Sequence, residues 1–323
     1  MKRIFFIGVV LLLVSIWGCK NNETIQPLTK TQKEAINYLP AESQFVMFAN
    51  LNELHKTGFW NNYFKSALLK NYIDNKSYQK FKEETGVGLE GGISQILIAH
   101  SKNLDNVTIA VFNKNLSKIK SYFNKYDNFS KELINNNSVY TLKERYPVQV
   151  FFINDSTIIA VNNINFIKSI IEKKNTPLKN NKSLFGIIRN IKNKNQYWIA
   201  TDKGTYAVNY IRKILGVNEN THVNKILKSV ESVTLAAQFG DGIDIESNWN
   251  CNDSKNAYLL STAIKGALAL DILSGDDHSI GKILRKTEIE RSKSQINFQL
   301  ELKGKDINTL KDFAEKKDLE RKL

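Results

Sequence analysis

Apolar and polar positions in this chain repeat with two periods, and the switches between them mark its elements. Strict alternation runs through Ile243-Asp244-Ile245-Glu246-Ser247-Asn248-Trp249 and again at Ile296, Phe298, Leu300 and Leu302. That is a strand with one face toward a core and the other toward water. The same reading predicts strands over Phe45–Asn50, Ile93–His100, Val107–Phe112, Ser138–Lys143, Val148–Ile153 and Thr157–Asn162. Further along it predicts Tyr197–Thr201, Val233–Phe239, Ile243–Trp249, Glu288–Arg291 and Gln295–Leu302. Helical spacing appears from Phe59 to Glu84, with a break near Asp74-Asn75 and with Trp60, Phe64, Ala67 and Leu68 on one face. It returns over Leu116–Tyr126, Phe166–Lys174, stretches through Leu215 and Leu227, Ser254–Leu273 and Ile307–Lys316. Ala257, Leu260, Ile264, Leu268 and Ile272 form one apolar stripe, and Asp306 is placed to cap the last helix.

The order repeats: strand, helix, strand pair, helix, strands, helix. Short turns such as Asp241-Gly242 make the strand pairs antiparallel. Pro177 closes the first round. The expected fold is α+β, in two related halves at 35–177 and 178–323, each a mainly antiparallel sheet with helices packed on one face.

Ahead of this body lies Met1-Lys2-Arg3, an apolar run from Ile4 to Trp17, and then Gly18-Cys19. Fourteen residues of helix fall short of the ~30 Å hydrocarbon core. A basic start followed by a short apolar run and a small residue is the order of an export signal. It resembles a bacterial lipoprotein signal peptide, with Ile16-Trp17-Gly18-Cys19 in the lipobox; Ile16 and Trp17 stand where that pattern usually has Leu and a small residue. The resemblance implies cleavage between Gly18 and Cys19, with acyl chains such as palmitate on Cys19 as a membrane anchor. Lys20 follows where an Asp would favour inner-membrane retention, so the implied address is the outer membrane of the cell envelope, on its periplasmic or surface face. Residues 19–34 are polar and read as a flexible tether.

The body opens on Tyr38-Leu39-Pro40-Ala41-Glu42-Ser43-Gln44-Phe45-Val46, has Gly-Val-Gly-Leu after its first long helix, and carries a long Ala-bearing helix near residue 257. It is similar to uncharacterised bacterial families of membrane- or lipid-anchored proteins with two related α+β halves. That resemblance implies no catalytic residue.

Composition narrows the chemistry. Lys and Arg number 46 against 32 acids, a net charge of +14; loss of Lys2 and Arg3 with the leader leaves +12. A basic surface suits anionic headgroups or acidic glycans. The charges are interleaved with acids, as in Lys80-Phe81-Lys82-Glu83-Glu84, and no RNA-recognition, zinc-finger or basic-helix pattern accompanies them, so nucleic acid is not an expected partner. With Cys19 acylated, Cys251 has no intramolecular partner, and the fold is not stapled by disulfides.

Motifs add little. Gly86-Val87-Gly88-Leu89-Glu90-Gly91 spells GxGxxG, but a helix precedes it and a strand follows, the reverse of a dinucleotide site; it reads as a helix stop and turn. His55, His100, His222 and His278 lack metal-site spacing. Asp276-Asp277-His278 reads as a solvated loop, and Phe59, Trp60, Tyr63, Phe64 and Trp249 as core. No catalytic, cofactor-binding or metal-binding residue is assigned.

The expected role is non-enzymatic binding of a protein or an anionic envelope component. Two alternatives stand beside it: an apolar-ligand or lipid-binding protein with a cleft between the halves, and a hydrolase with a dispersed site around Asp277-His278. A Cys19→Ala chain is expected to take up no radiolabelled palmitate; labelling equal to the parent would remove the anchor.

Overall fold

In the computed structural model, the described residues are 27–65, 75–88, 90–101, 106–143, 147–192, 195–205, 227–274, 282–283 and 285–320. Cys19 and the leader, Ala67 and Leu68, the stretch through Leu215 with His222, and Asp276-Asp277-His278 lie outside them.

The helices are α1 (Lys30–Ile36), α2 (Leu51–Leu54), α3 (Lys76–Thr85), α4 (Ser117–Lys125), α5 (Ile164–Ile171), α6 (Lys182–Arg189), α7 (Ser254–Ser274) and α8 (Gly304–Glu320), with a π-turn at Trp60–Phe64 and a 3-10 turn at Leu178–Asn180. The strands are β1 (Ser43–Asn50), β2 (Ile93–Ser101), β3 (Asn106–Phe112), β4 (Phe129–Ile134), β5 (Asn137–Leu142), β6 (Val148–Phe152), β7 (Thr157–Val161), β8 (Tyr197–Thr201), β9 (Val230–Phe239), β10 (Ile243–Cys251), β11 (Glu288–Ser292) and β12 (Gln295–Leu302).

The fold is α+β, and its strands hydrogen-bond in the order β11-β12-β10-β9-β8-β1-β2-β3-β7-β6-β5-β4. The duplication is explicit in that order. The run β1-β2-β3-β7-β6 has the same connectivity as β8-β9-β10-β12-β11, and the hairpin β4–β5 is extra to the first half.

The chain divides into two compact units, one of residues 27–190 with 194–199, the other of 191–193 with 200–323. In the first, Phe48 pairs with Leu97, Leu97 with Ile109, Ile109 with Ile159, Ile159 with Phe151 and Phe151 with Val139. Directly opposed residues share a face. Phe48, Leu97, Ile109, Ile159 and Val139 are fully buried, and Phe151 nearly so. α6 packs against β1 and α5 against β7. Trp198, also fully buried, stacks on Phe48 with ring centroids 5.6 Å apart. The reverse face of the same strands carries Ala110, Ile158, Ala160, Val150, Phe152 and Tyr140, gathered with Ile119 and Phe123 of α4 and Phe81 of α3.

In the second unit a buried cluster gathers under α7. Val230, Val233, Trp249, Cys251, Ile289, Ile296 and Phe298 pack with Ala257 and Leu260 of α7, and Ile264 and Leu268 lean against them. Trp249 lies 4.8 Å from Phe298, and its Nε1 donates to Ser247 Oγ at 2.9 Å. The β9–β10 hairpin turns at Asp241-Gly242, where a Cβ on Gly242 would sit 2.1 Å from the Leu302 carbonyl oxygen. Only glycine fits that approach.

Three expectations change. The tether does not extend to residue 34: Thr29 caps α1, its Oγ1 accepting from the Gln32 amide at 3.2 Å while Gln32 Oε1 accepts from the Thr29 amide at 2.8 Å. This capping box starts a short helix whose Ala35 and Ile36 are buried. The boundary at 177/178 also moves. Ala41 donates to the Thr176 carbonyl at 2.9 Å and Leu178 to that of Leu39 at 2.7 Å, and Leu184 and Ile188 of α6 are fully buried, so 178–190 belong with the first unit. α6 precedes β8 as α1 precedes β1. Finally, Phe129–Ile134 is a strand that the pattern did not show. It lies at the edge of the sheet with four of its six residues exposed, so it lacks the alternation of a half-buried strand.

Phe48→Ala is expected to lower unfolding free energy by about 3–5 kcal/mol, because it empties a fully buried site between Trp198 and Leu97. Leu133→Ala, at a side chain 65% exposed, should stay within about 0.5 kcal/mol. Urea titrations of the two variants check both values.

Candidate functional site

Two surfaces carry organised polar chemistry, one in each unit. The first is built on α3 and α4. Asn75 caps α3, its side-chain oxygen accepting from the Tyr78 amide at 3.1 Å, and this is the break expected near Asp74-Asn75. Gly86 ends the helix in the left-handed region at φ +70°. Gly88 and Gly91 then close a tight bridge, with N–O distances of 2.8 and 3.1 Å, before β2 begins. The GxGxxG segment is therefore a helix stop and turn.

The inward faces of α3 and α4 are aromatic. Phe81 meets Tyr122 edge-on at 5.2 Å, Tyr122 lies 4.5 Å from Tyr126, and Phe123 stacks on Phe129 at 4.2 Å. The outward faces are lysine-rich. Lys76 and Lys80 are exposed one turn apart on α3; Lys118 and Lys125 are exposed two turns apart on α4; exposed Lys114, in the bend before α4, donates to the Gly86 carbonyl at 3.1 Å. Several ammonium groups lie over rings of the same layer. Lys80 Nζ lies 4.4 Å from the Tyr126 centroid, Lys125 Nζ 5.1 Å from the same ring, Lys120 Nζ 5.1 Å from Phe152 and Lys131 Nζ 5.9 Å from Tyr140. Such contacts contribute about 0.5–1 kcal/mol each at exposed sites and limit where the charge can go.

Two carboxylates brace this layer. Glu84 accepts from the Tyr126 hydroxyl and from Lys125 Nζ at 2.9 Å; those two bonds hold its carboxyl below the ordinary value. Glu90 accepts from Tyr78 at 2.9 Å and from Lys82. Burial alone would raise its carboxyl, but hydrogen bonds from Lys82, its own backbone amide and Tyr78 together bring it below the ordinary value.

The second surface is the sheet face of the second unit opposite its core. Alternation turns Asp244, Glu246, Asn248 and Asn250 of β10 outward, with Gln295, Asn297, Gln299 and Glu301 of β12, Glu288 and Glu290 of β11, and Gln238 of β9. Asp244, Glu288, Glu290 and Glu301 are exposed; Glu246 is buried and ion-pairs with Lys192 at 3.2 Å. Asp244 and Glu301 sit directly opposite each other across β10 and β12. Like charges so placed are unfavourable by a few tenths of a kcal/mol up to ~1 kcal/mol. Lys303, 3.5 Å from Glu301, relieves part of this.

The remaining sequence candidates separate. His55 lies against the Trp60 ring at 4.2 Å, and His100 Nδ1 is 3.3 Å from Asn106 Oδ1. Among the described residues no group of His, Cys, Asp and Glu is arranged to hold a metal ion. Phe59, Trp60 and Trp249 are buried, while Tyr63 and Phe64 are half-buried. Cys251 is a free buried thiol, and burial pushes its pKa up. No helix among the described residues is long and apolar enough to cross a membrane. The sequence reading missed both surfaces. Their lysines and acids are interleaved along the chain, and only helix packing and strand pairing collect them.

Glu90 has a pH signature. Its carboxyl is depressed in the folded chain, so it stabilises the fold at and above the ordinary carboxylate range, and that contribution is lost as pH falls through the depressed value. Glu90→Gln is expected to lower the urea midpoint near neutral pH and to flatten its decline toward about pH 3. An unchanged acid limb would contradict this.

No known protein family matches the sequence, and no curated protein is a detectable relative. Among solved structures the chain is similar to crystal form I of TP0453, with a TM-score of 0.49 and 8% identity over 85% of this chain and 94% of that one. It is similar to crystal form IV of the same protein at a TM-score of 0.44 and 7% identity, over 86% and 92%.

Proposed function

We propose that this chain is a lipid-anchored protein of the bacterial cell envelope, held at the outer membrane through acyl chains on Cys19, and that its role is the non-enzymatic binding of an anionic envelope component. The leader supports the address: a basic start, a short apolar run and Gly18-Cys19. The observation that carries the binding role is the α3–α4 layer. Its Lys76, Lys80, Lys114, Lys118 and Lys125 are exposed, and the ammonium groups of Lys80 and Lys125 are held over Tyr126.

The chemistry that suits this layer is a polyanion bearing phosphate or carboxylate groups. Each lysine adds a point charge with rotatable donors, so the layer reads charge density more than ligand shape. The Glu84 and Glu90 pairings keep Tyr126, Lys125 and Lys82 in place.

The test uses full-length protein in phosphatidylcholine nanodiscs, titrated with a phosphorylated polysaccharide. Binding is expected to weaken with salt. Lys80→Glu with Lys118→Glu should lower affinity by about tenfold or more, at roughly 1 kcal/mol per lysine near an anionic surface. Salt-insensitive binding, or affinity unchanged by the double reversal, would overturn the reading.

A further inference from the structure

The outward sheet face of the second unit is acidic in a chain whose net charge is +14. β10, β11 and β12 turn Asp244, Glu246, Glu288, Glu290 and Glu301 to it, interspersed with the amides of Asn248, Asn297 and Gln299. Several described basic groups nearby face elsewhere or are engaged. Arg291 alternates to the core side, its guanidinium 5.6 Å from the Tyr258 ring; Lys286 pairs with Asp306, Lys192 with Glu246 and Lys303 with Glu301. Lys293 sits at the β11–β12 turn. The exposed pair Glu288 and Glu290 lies on the edge strand β11, two residues apart on one face.

We propose that this face docks the lysine layer of a second copy of the chain, so that α3–α4 of one molecule lies on β10, β12 and β11 of the next. Charge complementarity carries the choice of occupant. The exposed lysines of α3 and α4 are the organised basic surface described above, and the acidic face is its counterpart. Membrane anchoring would strengthen the contact, because molecules confined to one surface meet at high effective concentration. The contact joins two different patches, so it is heterologous and extends from molecule to molecule unless it closes into a ring. An alternative self-contact through the edge strand β4 is disfavoured by its sequence. Two-fold antiparallel pairing across the middle of Phe129–Ile134 sets Lys131 against Lys131 or Glu132 against Glu132.

The inference rests on the same lysines as the proposed function but not on the identity of its ligand. It adds a consequence: a soluble polyanion and a second copy compete for one layer.

The experiment mixes full-length protein grown on ordinary and heavy nitrogen, in detergent, and applies a zero-length carbodiimide that joins carboxylates to amines. Mixed-isotope cross-links from Glu288 or Glu290 to Lys76, Lys80, Lys118 or Lys125 are expected at low salt, with loss at high salt or on adding phosphorylated polysaccharide. Glu288→Lys with Glu290→Lys in one chain should abolish them, as should Lys80→Glu with Lys118→Glu in another. Mixing the two variants should restore association between the substituted patches. Absence of mixed-isotope links in the parent, links that ignore both reversals, or a silent mixture would each overturn the proposal. The acidic-face variant retains the lysine layer, so its polysaccharide affinity reports on the proposed function separately.

Discussion

The first unit depends on one row of side chains, Phe48, Leu97, Ile109, Ile159, Phe151 and Val139, opposed strand by strand across β1, β2, β3, β7, β6 and β5. Because side chains alternate with a period of two, a slip of one residue in any of these strands would turn that strand's share of the row to the other face. The row therefore fixes the reverse side as well. With Ile109 and Ile159 on one face, Ala110, Ile158 and Ala160 must be on the other, and there they receive the aromatic undersides of α3 and α4. The lysines on the outside of those helices are placed by the register beneath them. The candidate site is thus a consequence of strand pairing and not an independent feature.

Duplication gives the second unit the same strand connectivity with different constraints. In both units the helix after the third strand packs on the sheet: α4 through Ile119 and Phe123, and α7 through Ala257, Leu260 and Ile264. The opposite faces differ. The first unit buries Leu97, Ile109 and Ile159 there, whereas the second buries Thr234, Ala236 and Glu246 toward β9 and exposes Asp244, Glu288, Glu290 and Glu301 toward β11 and β12. One topology tolerates both because backbone hydrogen bonding sets the strand order, while burial decides only which residue types each face accepts.

The alternating strands and the repeat were legible in the sequence because period two and helical spacing are local signals. Ile243–Trp249 and Ile296–Leu302 show their faces without any partner. What was not legible had non-local causes. β4 is an exposed edge strand whose place is set by its pairing with β5. α1 is short, and its capping box at Thr29 and Gln32 is buried among polar neighbours that read as tether. The end of the first unit was misplaced because Pro177 looks like a stop, whereas Leu178, Leu184 and Ile188 are buried against that unit. The lysine layer and the acidic face were hidden for the same reason: Lys80 and Tyr126 meet across 46 residues of chain, and Asp244 and Glu301 across 57. Composition gave a charge of +14 but not its segregation.

The spacing and restraint of the charges on the two surfaces bear on how they would bind. Carboxylates on neighbouring strands are set by a spacing of about 4.8 Å, and those two residues apart on one strand by about 7 Å. Pairing fixes the backbone spacing, although Glu288, Glu290 and Glu301 keep side-chain freedom of the same order as lysine. The lysines are long and rotatable, and they too lose side-chain freedom on binding. Tyr126 lessens that loss for Lys80, and the Glu84 ion pair together with Tyr126 does so for Lys125, by giving their ammonium groups a preferred position before any partner arrives. Charges on a fixed backbone spacing opposite partly restrained cations cost less entropy to bring together than two wholly mobile surfaces. Lys76 and Lys118, for which no such ring contact is seen, would be ordered only on binding, so they carry the larger entropic cost and Lys80 and Lys125 the firmer part of the contact.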